Sequence, residues 1–351
     1  MRVFEGTILT GNEAGAVARF LVEENGRVAF VGDELPERFR AAPRSVLGEK
    51  ALIPALADTH VHFMSHALFA SGLDVRGARN IPELQALVGS YARERRDKIV
   101  IGFGVSAYGL AERRLPTRTE LDAAAGMRPV YLVKYDGHAA VANSAFLARL
   151  PQKICSLRGY DRDSGRLNQE AFFAATDFAT GSVSLPSVLR GMLGAADRLA
   201  DKGIGAVHSV TGVGFPLDLD VTLESLFARG LRNDLQYRIF FQTMDVAKAL
   251  RRGLPRIGGC FAAALDGCFG SVDAALLDPY SHDPKNRGVL FYPDEDVAAF
   301  AKKANRAGLQ IQMHAIGDAA FEQAAGALDS ALSDYPRENH RHTIIHACLP
   351  T

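Results

Sequence analysis

ALIPALADTHVHF (residues 51–63) opens as an apolar run and closes on two histidines, His60 and His62, separated by one residue. Side chains of a β-strand alternate between its two faces, so His60 and His62 point the same way and both imidazoles can reach one ion. That pattern is a chelating pair. Imidazole is a borderline donor suited to zinc, iron, manganese or nickel, and further ligands would have to arrive from other strands. Asp58 shares the parity of the pair and could orient it, or serve only in a turn.

Downstream, apolar strands alternate with amphipathic helical stretches, the pattern of a parallel α/β sheet. The strands expected are ALIPALADTH, KIVIGFGV, RPVYLVKYDGH, GIGAVHSV, LQYRIFFQT, FAAALDG, LQIQMHAIG and HTIIHA. Helix boundaries follow from local chemistry. Thr117 caps a helix with Glu120 three residues on, and Gly126 and Pro129 end it. In 187–202, Val188, Leu189, Met192, Leu193, Ala196 and Leu199 form one face, ended by Gly203. DEDVAAFAKKANRAG starts acidic and stops at Gly308, in keeping with the helix dipole. The expected fold is α/β, a (β/α)8 TIM-like barrel over 51–351, with a small N-terminal β-sandwich appendage over 1–50 that contains an Asn25-Gly26 hairpin. Residues 150–184, with Gly159, Gly165 and Gly181 and no clear periodicity, read as a long loop or lid.

Barrel chemistry gathers at the carboxyl ends of strands. Five expected strand ends carry histidine: His60 with His62, His138, His208, His314 and His346. Any one alone is more often a satisfied hydrogen-bonding residue than a ligand. Five together indicate a site. His66, His282, His340 and His342 fall elsewhere and receive no role.

The 40 Lys plus Arg balance 40 Asp plus Glu, so no global field favours nucleic acid or an anionic membrane, and a small-molecule substrate is expected. Cys155, Cys260, Cys268 and Cys348 are scattered and form no CxxC pair; they read as reduced, inert thiols. The N-terminus lacks signal-peptide character and no run of about eighteen uncharged apolar residues is present, so a cytoplasmic location is expected.

IPALADTHVHF resembles the metal-binding first strand of the amidohydrolase superfamily, in which a glycine usually stands at the position of Ala55. The likeness continues through LPTRTELDAAAGMRPVYLVKYDGHAAVANSAFL, GRLNQEA, LDGCFGSVDAALLDPY, GVLFYPDEDVAAFAKKANRAGLQIQMHAIGDAAFEQAAGAL and IIHACLPT. In combination these are similar to the amidohydrolase-3 branch, which includes N-substituted formamide deformylases. The resemblance implies that His60, His62, His314 and His346 bind one or two divalent metal ions, zinc first, and that His138 faces the substrate with Asp136 and Asp266 as substrate-binding groups. It further implies hydrolysis of a non-peptide carbon–nitrogen bond, in an amide or formamide-like substrate, by a metal-activated water. Such barrels are often homo-oligomers.

The chain departs from the family pattern in two respects. Relatives often carry a lysine, carboxylated to bridge two metals, four residues before the DG of LDG, where this chain has Ala262. Glu170 is one substitute for that anion, carboxylated Lys134 is another, and a mononuclear site is the third reading. The chain also ends at Thr351, just after the strand of His346, whereas relatives continue to a metal-binding aspartate that serves as general acid and base. The expectation is therefore a barrel truncated at its C-terminal side, a fragment of a longer product or one completed by another chain. Two other readings stand beside the hydrolase: a degenerate barrel that binds metal without turnover, and a deaminase of a cyclic substrate.

Overall fold

The computed structural model describes residues 1–12, 15–230 and 235–351. It divides into two compact units, Met1–Ala57 with Gly203–Gly205, and Asp58–Lys202 with Ala206–Thr351. The first holds one four-stranded sheet of β1 (Arg2–Leu9), β2 (Val17–Glu24), β3 (Arg27–Gly32) and β4 (Arg44–Leu52), in the order β3-β2-β1-β4. Asn25 and Gly26, at φ 54° and 76°, make the turn that joins β2 to β3, as an Asn-Gly pair favours. Val3, Phe20, Val22, Phe39 and Ala42 form the core of this unit.

The remaining strands are β5 (Leu56–Val61), β6 (Leu73–Asp74), β7 (Val100–Val105), β8 (Val130–Lys134), β9 (Ala139–Ala142), β10 (Arg166–Asn168), β11 (Ile204–Thr211), β12 (Gln236–Phe241), β13 (Arg256–Ala264), β14 (Gln310–Ala315) and β15 (Thr343–His346). They form a six-stranded sheet, β15-β14-β13-β12-β11-β5, and a five-stranded sheet, β10-β9-β8-β7-β6. β11 through β15 run parallel, as do β6, β7 and β8. With helices between its parallel strands, this is a barrel-like α/β fold. Buried on both sides, several central strands are almost wholly apolar; β7 and β8 are examples.

Local signals set most helix ends. Thr117 and Glu120 form a reciprocal capping box at the helix Arg118–Ala125, and Gly126 follows with φ 58°. The helix Leu185–Asp201 buries Val188, Met192, Ala195, Ala196 and Leu199 but leaves Leu189 and Leu193 exposed, so its apolar stripe is narrower than the sequence pattern indicates.

Residues 150–184 are not a long loop. They contain the helices Gln152–Cys155 and Gln169–Thr180 and the strand β10, which pairs with β9. Two of the glycines read as loop markers are points of close backbone approach instead, and the third, Gly181, follows the end of the helix Gln169–Thr180. A Cβ on Gly159 would lie 2.2 Å from the Asn168 carbonyl oxygen, and one on Gly165 would lie 2.3 Å from that of Ala142.

The helix Leu219–Gly230 turns two carboxylates inward, and Asp220 and Glu224 are both buried. Asp220 accepts hydrogen bonds from Thr211 Oγ1 (2.9 Å) and from the Gly212 amide (2.6 Å). Neither oxygen of Glu224 has a well-formed hydrogen bond among the described residues, and burial pushes its pKa up to about 8. The folded chain therefore keeps a proton that the unfolded chain has released between the ordinary glutamate value and about 8. Stability should fall across that window as pH rises, by about 1.4 kcal/mol per pH unit from this group. Glu224→Gln should flatten the slope, measured by denaturant unfolding at a series of pH values. Parallel slopes in variant and wild type would show that Glu224 is ionised in the native state.

Candidate metal centre and substrate pocket

His60 and His62 leave β5 together, with ring centroids 5.3 Å apart. The amide of His60 is held by Asp58 Oδ1 at 3.1 Å, which ties down the strand end. His314 on β14 and His346 at the end of β15 bring two more imidazoles; their rings are 4.8 Å apart, and the ring of His346 is 5.5 Å from that of His60. His346 has left-handed backbone, φ 69°, a conformation costing a non-glycine residue about 1–2 kcal/mol.

At the centre of these four rings is Cys260. Its Sγ is 3.4 Å from His314 Nδ1 and 3.8 Å from His346 Nε2. Two groups result, His60 with His62 and Cys260, and Cys260 with His314 and His346, in each of which the donor atoms all lie within 4.8 Å of one another. His60 Nδ1 is buried and has no hydrogen-bond partner among the described residues, an orphaned donor that a metal ion would satisfy. Imidazole nitrogens with a thiolate are a donor set suited to a divalent transition ion. Burial opposes ionisation of Cys260, but hydrogen bonds from His314, His346, His60 and His62 outweigh it and bring the thiol down to about 2. Burial likewise opposes charge on His314, yet Asp266 and Cys260 raise it to about 10. A metal binding there would displace that proton.

Beside the cluster is a cavity of about 460 Å³. Its wall is largely aromatic. Phe69 and Phe103 stack with centroids 5.1 Å apart, and Phe261 packs against His62 at 5.0 Å, Phe173 at 5.3 Å and His138 at 5.6 Å. The charged side chains on the wall are internally paired: Arg76 with Asp74 at 2.7 Å, and Asp136 with Lys134 at 2.8 Å.

The amidohydrolase family model matches residues 47–350. The chain belongs to the amidohydrolase family, in its amidohydrolase-3 branch. N-substituted formamide deformylase of Arthrobacter pascens is 24% identical over 373 residues, covering 94% of this chain and 66% of that protein. Protein LONG AFTER FAR-RED 3 of Arabidopsis thaliana is 24% identical over 383 residues, covering 98% and 64%. The structure of an uncharacterized metal-dependent hydrolase from Pyrococcus horikoshii OT3 superposes with a TM-score of 0.72 at 25% identity, covering 94% of this chain and 68% of that one. The chain thus spans about two thirds of the length of these proteins.

In this amidohydrolase six further positions singled out from sequence fall in different places. His138 and Asp136 line the cavity, but not as the end of a strand. β8 stops at Lys134, the Gly137 amide donates to the Lys134 carbonyl at 3.0 Å, and Asp136 Oδ1 accepts from the His138 amide at 3.2 Å. This turn, with Gly137 at φ 74°, reverses the chain into antiparallel β9, so Lys134, Asp136 and His138 do not share a strand face. Lys134 is tied to Asp136. Glu170 is a half-exposed residue in the first turn of its helix, 3.5 Å from Arg158, and belongs to neither metal-capable group. Asp266 is buried and absent from the cavity wall; it accepts from the amides of Ile316 (2.9 Å), Ala275 (2.9 Å) and Gly317 (2.7 Å), and lies 3.4 Å from His314 Nε2. The sixth, Ala262, offers no donor from its side chain, and its carbonyl accepts from Tyr292 Oη at 3.1 Å.

Cys260 is the residue that sequence reading missed. β13 pairs Gly259 with Met313 and then Ala264 with His314, so the residues between them bulge out of the ladder. The bulge starts at Gly258 and Gly259, φ 105° and 107°, and a Cβ on Gly258 would lie 1.9 Å from the Gln312 carbonyl oxygen. Gln242 Oε1 holds the displaced backbone, accepting from the amides of Cys260 (3.2 Å) and Phe261 (3.0 Å). The signal was the Gly-Gly pair inside an apolar strand, which marks a bulge or a close backbone approach.

Proposed function

We propose that this protein hydrolyses the carbon–nitrogen bond of neutral, non-peptide amides or formamides that carry an aromatic or bulky apolar group, with a divalent metal, zinc first, held by His60, His62, His314, His346 and Cys260. The observation that carries the reading is the convergence of four imidazoles from three strands beside an apolar cavity. When bound, the metal would polarise the scissile carbonyl and make water nucleophilic near neutral pH. The chain's own residues would do the rest. Phe69, Phe103, Phe173 and Phe261 would hold the apolar group and exclude water from it. His138, fixed in its turn by Asp136, would hydrogen-bond the amide as it reacts. With Arg76 and Asp136 already paired, a substrate carboxylate or ammonium would find no free counter-charge on the cavity wall.

Matched substrates test this. N-(2-phenylethyl)formamide should exceed N-ethylformamide in kcat/KM by about 10- to 100-fold, the worth of burying a phenyl group. N-formylphenylalanine, which adds only a carboxylate, should be the poorer substrate of the two aromatic compounds. Chelation should abolish turnover and zinc should restore it. Equal rates on the charged and neutral compounds would contradict the pocket reading. A metal-loaded protein that hydrolyses none of them would contradict the hydrolase reading, and ammonia released from a cyclic compound would assign deamination in its place.

A further inference from the structure

The four histidines of the centre are neutral donors, and two dications beside them would leave a buried excess of positive charge. An anionic side chain shared between the ions would offset that charge. The residues that could supply one are otherwise engaged: Lys134 with Asp136, Glu170 with Arg158, and Asp266 with three backbone amides and His314. Ala262 has no donor in its side chain. Cys260 alone belongs to both metal-capable groups among the described residues.

We propose that the thiolate of Cys260 bridges two metal ions, one held with His60 and His62 and the other with His314 and His346. The inference rests on the metal-dependent reading of the same site. Ligand distances support it. For tetrahedral zinc, with Zn–S of about 2.3 Å and Zn–N of about 2.1 Å, the sulfur and nitrogen of two ligands stand about 3.6 Å apart. Cys260 Sγ is 3.4 Å from His314 Nδ1 and 3.8 Å from His346 Nε2, so this half of the site is already near coordination geometry. The placement of the sulfur is built into the backbone, through the Gly258-Gly259 bulge and the two amides held by Gln242. A thiolate bridge is softer than a carboxylate and would tilt the site toward zinc or cobalt and away from magnesium or calcium.

Cobalt loading of the full chain tests the bridge. Wild type should bind two cobalt ions per chain and show thiolate-to-cobalt charge-transfer absorption in the near ultraviolet. Cys260→Ala should lose that absorption and bind one ion or fewer, with Cys260→Ser intermediate in stoichiometry and also lacking the band. X-ray absorption of the wild type with zinc bound needs no variant, and should show sulfur at about 2.3 Å in the average metal shell. Two ions without sulfur, or one ion with it, would overturn the shared thiolate and leave the metal-hydrolase reading standing. Absorption that survives in Cys260→Ala would assign the sulfur to another cysteine and overturn the bridge. No stoichiometric metal in the wild type would overturn both.

Discussion

Replacing His60 with alanine is expected to lower hydrolysis of a neutral aromatic amide by roughly a thousandfold. Loss of the metal's stabilisation of transition-state charge costs several kcal/mol, and each 1.4 kcal/mol is about a decade in rate. His60 is the appropriate target because its Nδ1 is buried and finds no hydrogen-bond partner among the described residues, which a metal ion would supply. Its replacement removes a donor from the group that also contains His62 and Cys260. His208 is the control: its ring packs on Phe240 with centroids 5.8 Å apart, and it belongs to neither metal-capable group. Steady-state rates with metal content measured on the same samples check the expectation. His60→Ala should lose both metal and rate, and His208→Ala should keep both. Full activity in His60→Ala would remove this residue from the centre.

Asp266→Ala should destabilise the fold by about 5 kcal/mol or more. The carboxylate accepts three backbone amides, those of Ala275, Ile316 and Gly317, at 2.7–2.9 Å in a fully buried setting. Hydrogen bonds to a charged group contribute about 1.5–3 kcal/mol each, and alanine would leave all three donors buried and unpaired. The same carboxylate sits 3.4 Å from His314 Nε2, so its loss would also release that ring from its orientation. Denaturant unfolding measures the first effect. Asp266→Asn, which keeps one acceptor oxygen, should fall between wild type and alanine in stability and should bind metal more weakly than wild type. A loss of less than about 1 kcal/mol in Asp266→Ala would mean that the three amides find other partners.

Residues whose placement depends on a regular local pattern were legible in the sequence. His60 and His62 alternate on one strand, Thr117 and Glu120 form a capping box, and Asn25-Gly26 makes a hairpin; each follows from chemistry within a few residues. His314 and His346 were legible for a related reason, since both end strands that run without interruption. What escaped was set by departures from regularity. The period-two count through β13 fails at the bulge, which removes Cys260 from the alternation and brings it among the histidines. The same count fails past Lys134, where a turn replaces the expected strand and places His138 and Asp136 on the cavity wall by another route. Glu170 illustrates a different limit. Its first-turn position suits a helix N-terminus as well as a ligand, and the structure pairs it with Arg158. Glycines misled most over 150–184, because close approach to a neighbouring carbonyl and looseness in a loop select the same residue.

A metal-dependent hydrolase of this kind requires that His60, His62, Cys260, His314 and His346 together hold metal. Diffraction from zinc-loaded crystals, recorded on both sides of the zinc absorption edge, tests it most directly. Anomalous density is expected among these five side chains, within about 2.3 Å of the sulfur and about 2.1 Å of the histidine nitrogens. Zinc density elsewhere, with none among these five residues at saturating metal, would contradict it.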